Sequence, residues 1–86
     1  MFQVLLVDDE KIVLNTMKEI VPWETYHSQL CGVCSSAMEA LEIIRRERPD
    51  IVVTDIRMPV MNGIDLIRHV RSEGFDPEFI ILSGYD

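Results

Sequence analysis

Four short, uninterrupted apolar runs constrain the fold more than any other feature of the sequence. They are Gln3 to Val7, Leu30 to Val33, Ile51 to Thr54 and Phe79 to Leu82. Each has the length of a strand, and none alternates polar with apolar residues as a strand with one wet face would. Between them, apolar residues recur at helical spacing. Val13, Met17, Ile20 and Val21 mark a first helix closed by Pro22. Ala37, Ala40, Leu41 and Ile44 mark a second, which starts at a Ser36–Glu39 capping box and is stopped by Pro49. Ile64, Ile67 and Val70 mark a third, with Gly74 suited to its C-terminal cap. The order β-α-β-α-β-α-β, with strands apolar on both faces, predicts a doubly wound parallel α/β sheet covered by helices on both sides.

In such sheets ligands bind beyond the carboxyl ends of the strands, where the strand order reverses. Asp8 and Asp9 follow the first run, Asp55 follows the third and Ser83 follows the fourth. Taken singly, each has an ordinary explanation. An aspartate after a strand is usually a turn residue, and the acidic Asp8-Asp9-Glu10 suits a helix N-terminus. Taken together they put three carboxylates on one edge, where like charges oppose ionisation unless a cation lies between them. An all-oxygen donor set favours Mg²⁺ over zinc or copper. A carboxylate held this way can act as a nucleophile toward a phosphoryl group and form an acyl phosphate. The Ser83 hydroxyl could donate to a phosphoryl oxygen.

Charge narrows the partners. With 15 acidic and 8 basic residues the net charge is −7, which argues against direct binding of nucleic acid by this segment. No apolar run approaches a membrane span. The opening "MFQVLLVDDE" has no basic stretch and is not a secretory signal. The two cysteines are then expected as reduced thiols in the cytoplasm. "CGVC", Cys31 to Cys34, invites a redox or zinc reading. However, Cys31 falls within the second strand, and His27 and His69 have no finger-like spacing, so small core residues are the better reading. Trp23 reads as packing at the exit of the first helix. Met58 and Met61 fit either loop packing or a partner surface.

"VLLVDDE", "PDIVVTDIRMPVMNGIDLI" and "FIILSGYD" together resemble the receiver domain of bacterial two-component response regulators, over essentially all 86 residues. The resemblance implies a flavodoxin-like fold with Asp55 as phospho-acceptor for a sensor histidine kinase. It also implies Mg²⁺ held directly by Asp9 and Asp55, by Asp8 through water and by the backbone carbonyl of Arg57, with Ser83 as the switch hydroxyl. A receiver is not an enzyme beyond its own phosphorylation and dephosphorylation. "VPWE" and "LSGYD" resemble receivers fused to AraC-like helix-turn-helix domains, which implies a DNA-binding output and transcriptional regulation. The family fold continues past the fourth strand to an aromatic switch residue and a lysine. This sequence stops after the fourth strand, and its lysines, Lys11 and Lys18, both fall in the first helix region. Residues 1–86 are therefore expected to be an incomplete receiver domain, prone to homodimerise or associate further through its open fourth strand. Three alternatives stand beside this. An aspartyl-phosphate phosphatase or transferase would carry D-x-D after the first strand. A flavodoxin-like cofactor binder would carry a Ser-, Thr- and Gly-rich loop there. An inactive receiver fragment would serve only as a structural unit.

Overall fold

A computed structural model of the chain describes residues 1–82. The elements are β1 (Phe2–Val7), α1 (Lys11–Ile20), a 3-10 turn (Trp23–Tyr26), β2 (Ser28–Cys34), α2 (Ala37–Glu47), β3 (Ile51–Asp55), α3 (Gly63–Ser72) and β4 (Glu78–Leu82). All strand pairs are parallel and the sheet order is β2-β1-β3-β4. The chain steps outward once, from β1 to β2, then returns across β1 to β3 and β4. This is the flavodoxin-like order, with its reversal between β1 and β3.

The strands are apolar on both sides because both sides are buried. Leu5, Val7 and Val52 point to one face, where Ala40, Leu41 and Ile44 of α2 and Leu66 and Val70 of α3 pack. Val4, Leu6 and Val53 point to the other and meet Leu14 of α1, with Met17 and Trp23 packed alongside. Ala37, Ala40, Leu41 and Ile44 are the buried residues of α2, as their spacing predicts. Its start is the expected cap: the Glu39 N–H donates to Ser36 Oγ at 3.2 Å, and the Ser36 hydroxyl donates to Glu39 Oε1 at 3.2 Å. Gly74 follows the end of α3 with φ +88°, which a side chain would strain.

In two helices the buried face is shifted from the one their spacing suggested, although Met17 and Val70 keep the inward places expected of them. In α1 the buried residue is Leu14, while Ile20 is 72% exposed. The helix carries more apolar residues than one face can hold, so two stripes share Met17, and packing selects the one running through Leu14 and Met17. In α3, Leu66 and Val70 are buried whereas Ile64 is 41% exposed. The second strand is longer than its apolar run, starting at Ser28. It also holds an irregularity: Val4 pairs with Leu30 and Leu5 with Gly32, so Cys31 is bulged out of register. The bulge lets Leu30 and Val33 face α1 while Gly32 and Cys34 face α2. Among the described residues, no helix is long and apolar enough to cross a membrane.

Candidate functional site

The register of the two central strands builds the site. Val7 of β1 pairs with Thr54 of β3, so the residues that come next, Asp8 and Asp55, emerge side by side at the carboxyl edge. One carboxylate oxygen from each of Asp8, Asp9 and Asp55 lies within 4.8 Å of the others. The three differ in exposure: Asp8 is 4% exposed, Asp55 is half-buried and Asp9 is exposed. Burial pushes the Asp8 carboxyl above its usual range, and the charges of Asp55 and Asp9 push the same way. The Glu10 N–H, which donates to Asp8 Oδ1 at 2.9 Å, pulls against them. Three oxygen-donor acids converging at the sheet edge, one of them with ionisation opposed by its neighbours, fit a hard divalent cation such as Mg²⁺.

The loop after Asp55 is tied to the sheet at several points. The Arg57 N–H donates to Asp55 Oδ1 at 3.4 Å. Met58 is buried in the core under α2 and α3 and so is a packing residue, while Met61 is half-buried against the same cluster. Val60 is fully exposed with φ +70°, a conformation a β-branched residue rarely adopts. Asn62 caps α3, its Oδ1 accepting from the Asp65 N–H at 2.9 Å. The Gly63 N–H donates to the Ile56 carbonyl at 2.8 Å, and a Cβ on Gly63 would lie 2.4 Å from the Asp55 carbonyl oxygen. Only glycine fits there. The Asn-Gly pair read as a turn signal in the sequence, but this close approach depends on how α3 docks.

The other expectations divide. Ser83 lies outside the described residues. Lys11 and Lys18 line a groove of about 250 Å³ with Val33 and Cys34, whereas a depression of about 370 Å³ beside the acids is lined by Asp9, Ile56, Arg57, Met58, Pro59 and Asn62. Cys31 and Cys34 are free thiols, and burial pushes the Cys34 thiol up to about 12, far from the range of a redox nucleophile. Trp23 packs against the α1 side of the core.

The profile of the response regulator receiver domain family matches residues 4–86. The chain belongs to the response regulator receiver family. This receiver domain is 44% identical, over all 86 residues, to an uncharacterized response regulatory protein of Staphylococcus epidermidis, 34% of whose length it covers. It is 42% identical over its whole length to the transcriptional regulatory protein HptR of Staphylococcus aureus, covering 33% of that protein. It thus spans about a third of the length of the curated relatives it matches. Among solved structures it is similar to the REC domain of AraT, a response regulator from Geobacillus stearothermophilus. There the TM-score is 0.90 and the identity 30%, over 99% of this chain and 66% of that one. A two component transcriptional regulator AraC from Clostridium phytofermentans aligns with TM-score 0.88 and 29% identity, over all of this chain and 69% of that one. The chain is therefore a receiver domain of the two-component type.

Proposed function

We propose that Asp55 is the phospho-acceptor of this receiver domain and that a sensor histidine kinase is its donor. The observation that carries the reading is the convergence of Asp8, Asp9 and Asp55 within 4.8 Å at the edge where strand order reverses. In the transfer, a carboxylate oxygen of Asp55 attacks the phosphorus of a phosphohistidine. A P–O bond forms, the P–N bond breaks, and the departing imidazole keeps the electron pair and takes up a proton. Asp9 and Asp55 would hold Mg²⁺ directly, with Asp8 acting through water and the Arg57 carbonyl completing the protein ligands. When bound, the ion neutralises the acids and draws charge off the phosphoryl oxygens. Asp8 stays fixed because its Oδ1 is engaged by the Glu10 N–H, and Asp55 is steadied by the Arg57 N–H. Ser83 is the proposed switch hydroxyl.

The output in this reading is a DNA-binding domain of AraC-like type that regulates transcription in the cytoplasm. The names of HptR and the Clostridium regulator support the transcriptional role, and that of the Clostridium regulator the AraC-like type. Self-association through β4 belongs to the same proposal. Among the described residues β4 pairs only with β3, and its Ile80 is 51% exposed. Light scattering over a range of concentrations checks it.

The test of the acceptor site is beryllofluoride, which mimics an acyl phosphate, added with Mg²⁺ and followed by NMR. Amide shifts centred on Asp8, Asp9 and Asp55, lost in Asp55→Asn, are expected. Shifts that persist in Asp55→Asn would remove Asp55 from the role.

A further inference from the structure

Thr54 is out of character for its position. It is fully buried, its predecessors on β3 are Val52 and Val53, and its register partners are Val7 of β1 and Ile81 of β4. Valine has nearly the same shape and an equal liking for strands. A hydroxyl buried among such neighbours needs a hydrogen-bond partner, and valine does not. The partner is the next residue's backbone: Thr54 Oγ1 donates to the Asp55 carbonyl oxygen at 3.0 Å. The same oxygen is closed off by Gly63, where a Cβ would sit 2.4 Å from it and 3.2 Å from both the Asp55 carbonyl carbon and Ile56 Cα. The Gly63 N–H donates to the next carbonyl, that of Ile56, at 2.8 Å. The carbonyl of Asp55 is thus held between a buried hydroxyl and the first turn of α3. Its direction sets the frame from which the Asp55 side chain leaves β3. It also sets the start of the loop that brings the Arg57 N–H to Asp55 Oδ1.

We propose that Thr54 is a positioning residue for Asp55: its hydroxyl fixes the Asp55 carbonyl and so aims the carboxylate at Asp8 and Asp9. The consequence for phosphoryl transfer rests on Asp55 being the acceptor, while the consequence for the acid cluster does not. Displacing a reacting group by an ångström can cost on the order of a hundredfold in rate, so a loosened carbonyl has room to matter.

The experiment compares Thr54→Val and Thr54→Ser in the intact protein. It reads three quantities: the unfolding midpoint, Mg²⁺ affinity by titration, and the rate of Asp55 phosphorylation by acetyl phosphate. A purely structural Thr54 predicts that Val is tolerated and that Ser, which loses a buried methyl, is the worse variant in every readout. A positioning Thr54 predicts opposite orders. Val keeps the midpoint, yet weakens Mg²⁺ binding and slows phosphorylation by about tenfold or more. Ser lowers the midpoint and restores both functions. If Thr54→Val does not fold, Thr54→Ala against Thr54→Ser makes the same comparison. Parent-like Mg²⁺ affinity and phosphorylation in Thr54→Val overturns the proposal, and so does Ser falling with Val. If the parent itself takes no phosphoryl group on Asp55, the acceptor reading fails, and the Mg²⁺ titration still decides Thr54.

Discussion

Replacing Gly63 with alanine tests whether the start of α3 sets the geometry of the acid cluster. The new methyl would meet the Asp55 carbonyl oxygen at 2.4 Å. An ordinary carbon–oxygen contact is about 3.3 Å or more, so about 0.9 Å of clearance must be found. The methyl is fixed in place by the helix backbone and the oxygen is itself backbone, so no side-chain rotation relieves the contact; either the Asp55 peptide or the N-terminus of α3 has to move. Gly63 is buried, with Leu66 and Val70 of the same helix locked under the sheet. Forcing a carbon into such a site costs about 1–3 kcal/mol. Removing a glycine from the unfolded chain returns about 0.4–1 kcal/mol. The net expectation is a loss of about 1–2 kcal/mol, or about 4–8 °C of melting temperature for each kcal/mol in a domain of this size. The displacement falls on the acceptor residue, so Mg²⁺ affinity should fall with stability. Urea unfolding followed by Trp23 fluorescence, with a parallel Mg²⁺ titration, measures both. A Gly63→Ala protein as stable as the parent, with unchanged Mg²⁺ affinity, would refute the reasoning.

Asp8→Asn keeps an acceptor for the Glu10 N–H but removes a buried charge that faces two others. Because the folded Asp8 carboxyl titrates above its usual range, its stability contribution is most favourable below the unfolded pKa and is lost as pH rises through the folded one. The variant should therefore melt higher than the parent at neutral pH in EDTA and gain less than the parent from added Mg²⁺, as scanning calorimetry would report. Cys34 follows the same sign at the other end of the scale. Its thiol is pushed up to about 12 by burial, so stability should fall as pH rises from about 9 toward 12, and iodoacetamide at pH 8 should modify it only as fast as the domain opens. Ser36→Ala removes the cap on α2 and should cost about 1 kcal/mol in urea unfolding while leaving Mg²⁺ binding intact.

How far the sequence reveals this molecule depends on how many ways its apolar residues can be used. The second helix is unambiguous because Ser36 and Pro49 bound it, and Ala37, Ala40, Leu41 and Ile44 form one stripe. The first helix is ambiguous because Ile12, Val13, Leu14, Met17, Ile20 and Val21 allow more than one stripe, and only packing against Val4, Leu6 and Val53 selects Leu14. The polar start of β2, Ser28-Gln29, hides two strand residues, and the bulge at Cys31 depends on pairing with β1. The acid cluster was readable because strand ends of a doubly wound sheet converge by topology, so Asp8, Asp9 and Asp55 needed only the order of elements. Thr54 and Gly63 were not readable as site residues. Their roles lie in a 3.0 Å hydrogen bond from a side chain to the next residue's carbonyl and in a near-contact to that same oxygen, the second of which arises only once α3 docks. The one local clue was a hydroxyl where the strand otherwise asks for valine.

The central claim is that Asp55 accepts the phosphoryl group in a Mg²⁺ site built with Asp8 and Asp9. Its most direct test is to incubate the intact protein with acetyl phosphate and Mg²⁺ and map the product by mass spectrometry. The account predicts one phosphoryl group, on Asp55, absent when Mg²⁺ is chelated and absent in Asp55→Asn. A phosphoryl group found on Asp8, Asp9 or Ser83 with Asp55 unmodified would contradict it, as would labelling of Asp55 that is indifferent to Mg²⁺.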